Sequence, residues 1–147
     1  MFCGQIQQIH QGIGNKPWAL LGDFNSVRYT DEKVGGKQLS FSKLSSFNTF
    51  VDHCSLSDIR SSGNKWSWHN NSFGSKRIIG RLDRVLCNKN WIDTLPGSFY
   101  KYHSLAYSDH EPILLHFLPD QDAGPRPFRF FVYWMHLPGF QNVLSNA

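Results

Sequence analysis

The sequence predicts a mixed α+β fold in which sheet dominates, and three observations carry that prediction. Trp18-Ala19-Leu20-Leu21 is a short continuous apolar run closed by Gly22, the pattern of a buried strand. Lys65 to His69 alternates charged or polar residues with Trp, the period-two pattern of a half-exposed strand. Phe41, Leu44, Phe47, Val51 and Cys54 recur at helical spacing, with Phe50 widening the stripe. Across 147 residues an aromatic share of 15%, with five Trp and twelve Phe, excludes a disordered chain and favours a packed interior rich in β-structure. A chain of this size fits one domain, burying on the order of 68–70% of its unfolded surface if complete.

Taken in order, Ile6, Ile9 and Ile13 suit one apolar helix face, so the first residues read as the tail of a helix stopped by Gly12, Gly14 and Pro17. The strand at Trp18–Leu21 follows, with Asp23 and Asn25 at its C-terminal edge, where loops place polar side chains over a rigid sheet. Residues 26–38 are polar and aperiodic and predict a surface loop, with Gly35-Gly36 as a flexible turn. Ser40 is the expected N-cap of the Phe-rich helix, whose stripe reads as core and whose His53 reads as an ordinary helix-end residue. A break is expected at Ser61-Ser62-Gly63-Asn64, then the Trp-rich strand and a turn over Asn70–Ser75. Further strands are predicted over Ile78–Cys87, Ser98–His103 and Pro112–Phe117, with a helical turn at Asn88–Thr94.

Beyond Leu118, Pro119 to Pro127 has the composition of a linker, which divides the chain into a domain over 1–118 and a linker with an aromatic tail over 119–147. The formal charge of +4 and pI near 9.1 favour a polyanionic partner without requiring one. Lys76, Arg77, Arg81 and Arg84 form the densest basic patch, beside Lys65 and His69, and read either as a phosphate-tracking surface or as a solvated loop. Cys3, Cys54 and Cys87 lie too far apart for zinc spacing and read as reduced structural thiols. With no secretory signal and no apolar run of membrane-spanning length, an intracellular soluble protein is expected.

Four polar motifs carry the chemistry: Gly22-Asp23-Phe24-Asn25, Trp66-Ser67-Trp68-His69-Asn70, Arg81-Leu82-Asp83-Arg84-Val85 and Ser108-Asp109-His110-Glu111-Pro112. Phosphodiester hydrolysis needs a water that is aimed and deprotonated, Mg²⁺ held by carboxylates, and donors on the phosphoryl oxygens. Asp23 suits the water, and Asn25, two residues on, suits a phosphoryl oxygen. Asp109 suits a metal and His110 a phosphate, with Asp83 as the carboxylate that fixes the His110 tautomer. Singly, each motif has an ordinary alternative: an Asx-stabilised turn at Asp23, a capping Ser-Asp-His, a local ion pair of Asp83 with Arg81 or Arg84. His10, His53, His69, His103, His116 and His136 show no ligand spacing.

In that order and over roughly Trp18 to Phe117, these motifs resemble the endonuclease/exonuclease/phosphatase superfamily, and most closely the endonuclease of plant LINE retrotransposons. The segment Arg126 to Phe130, with Trp134 and Leu137-Pro138-Gly139-Phe140, is similar to the stretch joining such endonucleases to a reverse transcriptase. The resemblance implies a four-layer α/β/β/α sandwich and Mg²⁺-dependent nicking of DNA. It gives Asp23 and Asn25 to the water and the phosphate, Asp109 to the metal, His110 to the phosphate and Asp83 to holding His110. It matches Trp68 to an aromatic of the family's Thr-Trp element, although Ser67 stands where the family usually has Thr, and Trp68 is read with Arg81 of the basic patch as nucleic-acid contact.

Family members also carry an upstream Asn, a metal-binding Glu and one sheet of the sandwich, which the residues before Trp18 do not supply. The resemblance therefore implies the C-terminal half of the domain, incomplete, with an uncovered sheet face and weak or absent nuclease activity in isolation. The competing classes are a noncatalytic remnant that binds nucleic acid, and a phosphatase of small molecules or lipids built on the same site chemistry. By analogy with retroelement endonucleases the expected location is nuclear, with DNA and a missing N-terminal half or reverse transcriptase as partners.

Overall fold

The computed structural model describes residues 6, 8–9, 12–104, 108–117, 130, 134–135 and 139–145. Within them the regular elements are β1 (Ala19–Asp23), β2 (Lys33–Val34), α1 (Phe41–His53), β3 (Ser57–Asp58), β4 (Arg60–Ser62) and β5 (Trp68–His69). There follow β6 (Ile79–Gly80), β7 (Asp83–Cys87), α2 (Lys89–Thr94), β8 (Phe99–Tyr102), β9 (Ile113–His116) and α3 (Phe140–Ser145). The strands form three small sheets, ordered β1-β7-β3, β2-β6-β5 and β4-β8-β9. All strand pairs are antiparallel except β4 with β8.

Strand β7 organises the molecule. Its five residues are all buried, and their side chains alternate between two cores. Leu86 joins Trp18, Phe47, Phe50, Val51, Cys54 and Leu56 beneath α1. Val85 and Cys87 join Ile59, Tyr100 and Tyr102 on the opposite face, where Ile113 and Leu115 of β9 also pack. Helix α1, the β1-β7-β3 sheet and the β4-β8-β9 sheet are therefore stacked in that order, an α+β arrangement in which the central strand β7 is covered on both faces.

A single extended run, Ser57–Ser62, ties the two stacked sheets together. Ser57 and Asp58 pair antiparallel with β7, the Ile59 amide donates to the Val85 carbonyl at 2.9 Å, and Arg60–Ser62 then pair parallel with β8. Ile59 is 1% exposed, so the change of partner occurs inside the core.

Several expectations are corrected. The break expected at Ser61-Ser62 is strand β4. The expected continuous strand Ile78–Cys87 divides at Arg81-Leu82 into β6 and β7, which serve different sheets, because the Leu82 and Asp83 amides bond to the Ser67 hydroxyl. The strand expected over Lys65–His69 is paired only at Trp68 and His69. The loop at 26–38 is not simply surface: it contains a 3-10 turn at Thr30–Glu32, strand β2, and the buried charges Arg28 and Glu32. Ser40 occupies the N-cap position of α1 without a side-chain capping bond, and Phe41, on the first turn, is 85% exposed rather than core. Asn88, by contrast, caps α2 through its side chain, which accepts the Trp91 amide at 3.0 Å.

The described residues 6, 8–9 and 12–13 are helical, with Ile6 and Ile13 in the α1 core and Ile9 exposed. Strand β7 is covered on both faces, whereas Leu21, at the middle of β1 in the same sheet, is exposed, as are Leu114 of β9 and Phe117. The linker at 119–127 and the domain boundary at Leu118 lie outside the described residues. In the tail, Phe130 packs against Trp134 and Phe140, each with ring centroids 5.9 Å apart.

Candidate active site

The site is built where β1 ends and β7 begins. The antiparallel register sets Asp23 directly opposite Asp83, which puts the two carboxylates side by side on one sheet face. The Phe24 amide closes this end by donating to the Leu82 carbonyl at 3.0 Å. Asn25 then turns back with φ of 49°, a left-handed conformation that Asn tolerates. Its backbone amide donates to Asp23 Oδ1 at 2.7 Å and its side-chain amide to Oδ2 at 2.8 Å. The Asx turn and the presentation of Asp23 are thus one structure.

His110 arrives from the loop before β9. That loop is pinned to the Trp-rich segment by a Trp68–His110 bridge, by the His69 amide donating to the Asp109 carbonyl at 2.9 Å, and by the Glu111 amide donating to the Ser67 carbonyl at 2.8 Å. His110 Nδ1 lies 2.9 Å from Asp83 Oδ2. An ionised carboxylate only accepts, so Nδ1 carries the proton and Nε2 is the nitrogen left for other chemistry. Ligand atoms of Asp23, Asp83 and His110 all lie within 4.8 Å of one another, a grouping of two carboxylates and an imidazole able to hold a cation. They face an open depression bordered by Leu21, Gly22 and Pro112.

Of the residues singled out from sequence, Asp23, Asn25, Asp83 and His110 are brought together. Asp109 is adjacent but outside the cluster, and its Oδ2 accepts the Trp68 indole N–H at 3.2 Å. Trp68 is half-buried, its ring centroid 6.4 Å from that of His110. Arg81 faces inward: its guanidinium donates to Tyr100 Oη at 2.6 Å and pairs with Glu32 at 3.4 Å, which corrects its assignment to a nucleic-acid surface. Arg84, fully buried, pairs with Glu32 at 2.7 Å and Asp58 at 3.1 Å, so neither arginine is the local partner of Asp83. Of the expected basic patch, Lys76 and Arg77 remain exposed.

The arginine network is a small buried electrostatic unit beneath the site. Burial alone would raise the Asp58 pKa, yet the Arg84, Arg28 and Arg81 guanidinium groups together hold its carboxyl below the ordinary range. Burial would lower the Arg84 pKa, but Asp58 and Glu32 overcome it and keep the guanidinium firmly charged. Tyr102, whose hydroxyl donates to the Asp83 carbonyl, has its pKa raised chiefly by burial. It is thus kept in the donor form its bond requires.

Two residues of this neighbourhood were not legible as functional. Glu32 sits in an aperiodic polar stretch and carries no signal of burial. Ser67, fully buried, lies between two tryptophans in the alternating segment, where the alternation groups it with Lys65 and His69 on the polar face and so hides its burial.

No family model and no curated protein matches this sequence. Among solved structures, the fold is similar to the endonuclease domain of TRAS1, a telomere-specific non-LTR retrotransposon, with a TM-score of 0.60 and 19% sequence identity. The match covers 79% of this chain and 50% of that one, so the chain spans about half the length of that structure. At this identity the likeness is one of fold.

Proposed function

We propose that this chain carries the catalytic face of a retrotransposon-type endonuclease that hydrolyses phosphodiester bonds in DNA. The observation behind this reading is the convergence of Asp23, Asp83 and His110 from three separate segments, with ligand atoms within 4.8 Å, at an open depression. Asp23 aims the water and takes its proton. The Asn25 amide, with a second N–H beyond the one given to Asp23, donates to a phosphoryl oxygen. Asp83 keeps His110 oriented with Nε2 toward the phosphate chemistry.

Mg²⁺ usually binds one or two carboxylates and keeps several waters, and an open depression with exposed carboxylates suits that preference. Asp23 and Asp83 of the cluster, with the exposed Asp109 beside it, are the acids that would hold it. When bound, the cation supplies charge neutralisation on the phosphoryl oxygens. No glutamate joins the cluster among the described residues, so the affinity for Mg²⁺ and the turnover of this stretch by itself are expected to be low.

A nucleic-acid substrate is supported by the β5-β6 hairpin, which leads from Trp68 toward Asp83. Its connecting loop bears Phe73, 87% exposed, beside the exposed cations Lys76 and Arg77. That combination suits a base face and a phosphate backbone. The same hairpin also favours a second reading, binding without cleavage. A nuclear location and continuation into a reverse transcriptase belong to the same proposal.

The test is nicking of supercoiled plasmid by the purified chain with Mg²⁺, beside an EDTA control and the His110→Ala and Asp23→Ala variants. Nicking that needs Mg²⁺ and is lost in both variants is the expected result. Salt-sensitive DNA binding that survives chelation, with no nicking above the variants, moves the function to the noncatalytic reading.

A further inference from the structure

The Asp83–His110 contact joins two segments distant in sequence, and a single residue grips the backbone of both. The Ser67 hydroxyl oxygen accepts the amides of Leu82 and Asp83, each at 2.9 Å. Its carbonyl accepts the amide of Glu111, the residue after His110, at 2.8 Å, and its own amide donates to the Gly80 carbonyl at 3.0 Å. The hydroxyl is fully buried and sits where β6 gives way to β7, the point at which the chain must leave one sheet and begin another.

We propose that Ser67 is a positioning residue, which sets the separation of the Asp83 carboxylate and the His110 imidazole by holding the amides of Asp83 and Glu111. A hydroxyl oxygen has two lone pairs, and here two consecutive amides use them. Alanine would leave the buried Asp83 N–H and the part-buried Leu82 N–H without this acceptor, a state that a folded chain relieves by shifting backbone. Any such shift moves Asp83, the first residue of β7. The effect on cleavage rests on the nuclease reading; the geometric role does not.

The experiment is proton NMR of the purified chain, following the His110 Nδ1 proton, which resonates far downfield when bonded to a carboxylate. His110→Ala identifies the signal by removing it. The signal should be lost or shifted in Ser67→Ala and restored in Ser67→Thr. It should be unchanged in Val51→Ala, which weakens the core under α1 without touching the site. In parallel, Ser67→Ala should lower the kcat of nicking roughly 10–100-fold with KM for DNA unchanged, the range seen when a group orienting a site histidine is removed.

If Ser67→Ala does not fold, Ser67→Cys, with a weakly accepting sulfur in the same place, carries the same readout. An unaltered signal in the folded serine variant overturns the proposal, as does an equal loss in Val51→Ala or the absence of the signal from the parent chain. A chain that never nicks DNA, yet whose signal follows Ser67, keeps this inference and removes the nuclease reading.

Discussion

Asp83 does two jobs at once: its carboxylate holds His110, and its backbone is held by Ser67 and Tyr102. Asp83→Asn preserves the shape but replaces an acceptor oxygen with a donor. Nicking should therefore fall by about 10–100-fold in the plasmid assay while thermal stability changes little. Arg81 and Arg77 give the opposite contrast. Arg77→Ala should weaken DNA binding and reduce the salt slope by about one, because an exposed cation releases roughly one counterion. Arg81→Ala should leave that slope unchanged and lower stability, since its guanidinium is bonded to Glu32 and Tyr100; salt-titrated binding of the two variants checks both. The sequence could not separate these residues, because both lie in one basic stretch and the inward turn of Arg81 depends on an acid 49 positions away. The pairing of Asp83 with His110, in contrast, was legible, because an imidazole that must be oriented calls for a carboxylate and a nearby strand offered one.

Strand β7 carries cores on both faces, and that makes its residues expensive to alter. Leu86→Ala removes a fully buried side chain and should cost about 2–5 kcal/mol, read from the shift of the urea midpoint. Glu32→Ala should be at least as damaging, about 3–5 kcal/mol on the same measurement, because it leaves the buried Arg84 guanidinium without its nearest counter-charge at 2.7 Å. Strand β1 was readable as an apolar run and helix α1 as a helical stripe, and strands and a helical turn were also expected where β7, β8, β9 and α2 lie. The stretch 26–38 was not readable. Glu32 is buried against the guanidinium groups of Arg81 and Arg84, and no local periodicity records partners supplied from so far along the chain. Ser61-Ser62 misled in the same way, since their strand character comes from pairing with β8 and not from their own composition.

For the molecule as a whole, the buried ion network predicts a particular response to acid. Asp58 has its pKa depressed in the folded state, so its contribution to stability is complete above the unfolded value of about 4 and is lost as pH falls through the lower folded value. Urea midpoints should therefore hold from pH 7 to about 5 and drop below about pH 4, and Asp58→Asn should flatten that drop. The layered α+β character was visible in the motifs and their order, whereas the division into three sheets was not, because it depends on where strands change partners. The run Ser57–Ser62 is such a place, and its crossing at Ile59 has a consequence for how the fold opens. A strand shared by two sheets cannot leave one without disturbing the other, so neither sheet has a separate opening reaction. In native-state hydrogen exchange the Ile59 amide, bonded to Val85 inside the core, should open only with global unfolding, and amides of β7 and β8 should share its free energy of exchange as one cooperative unit.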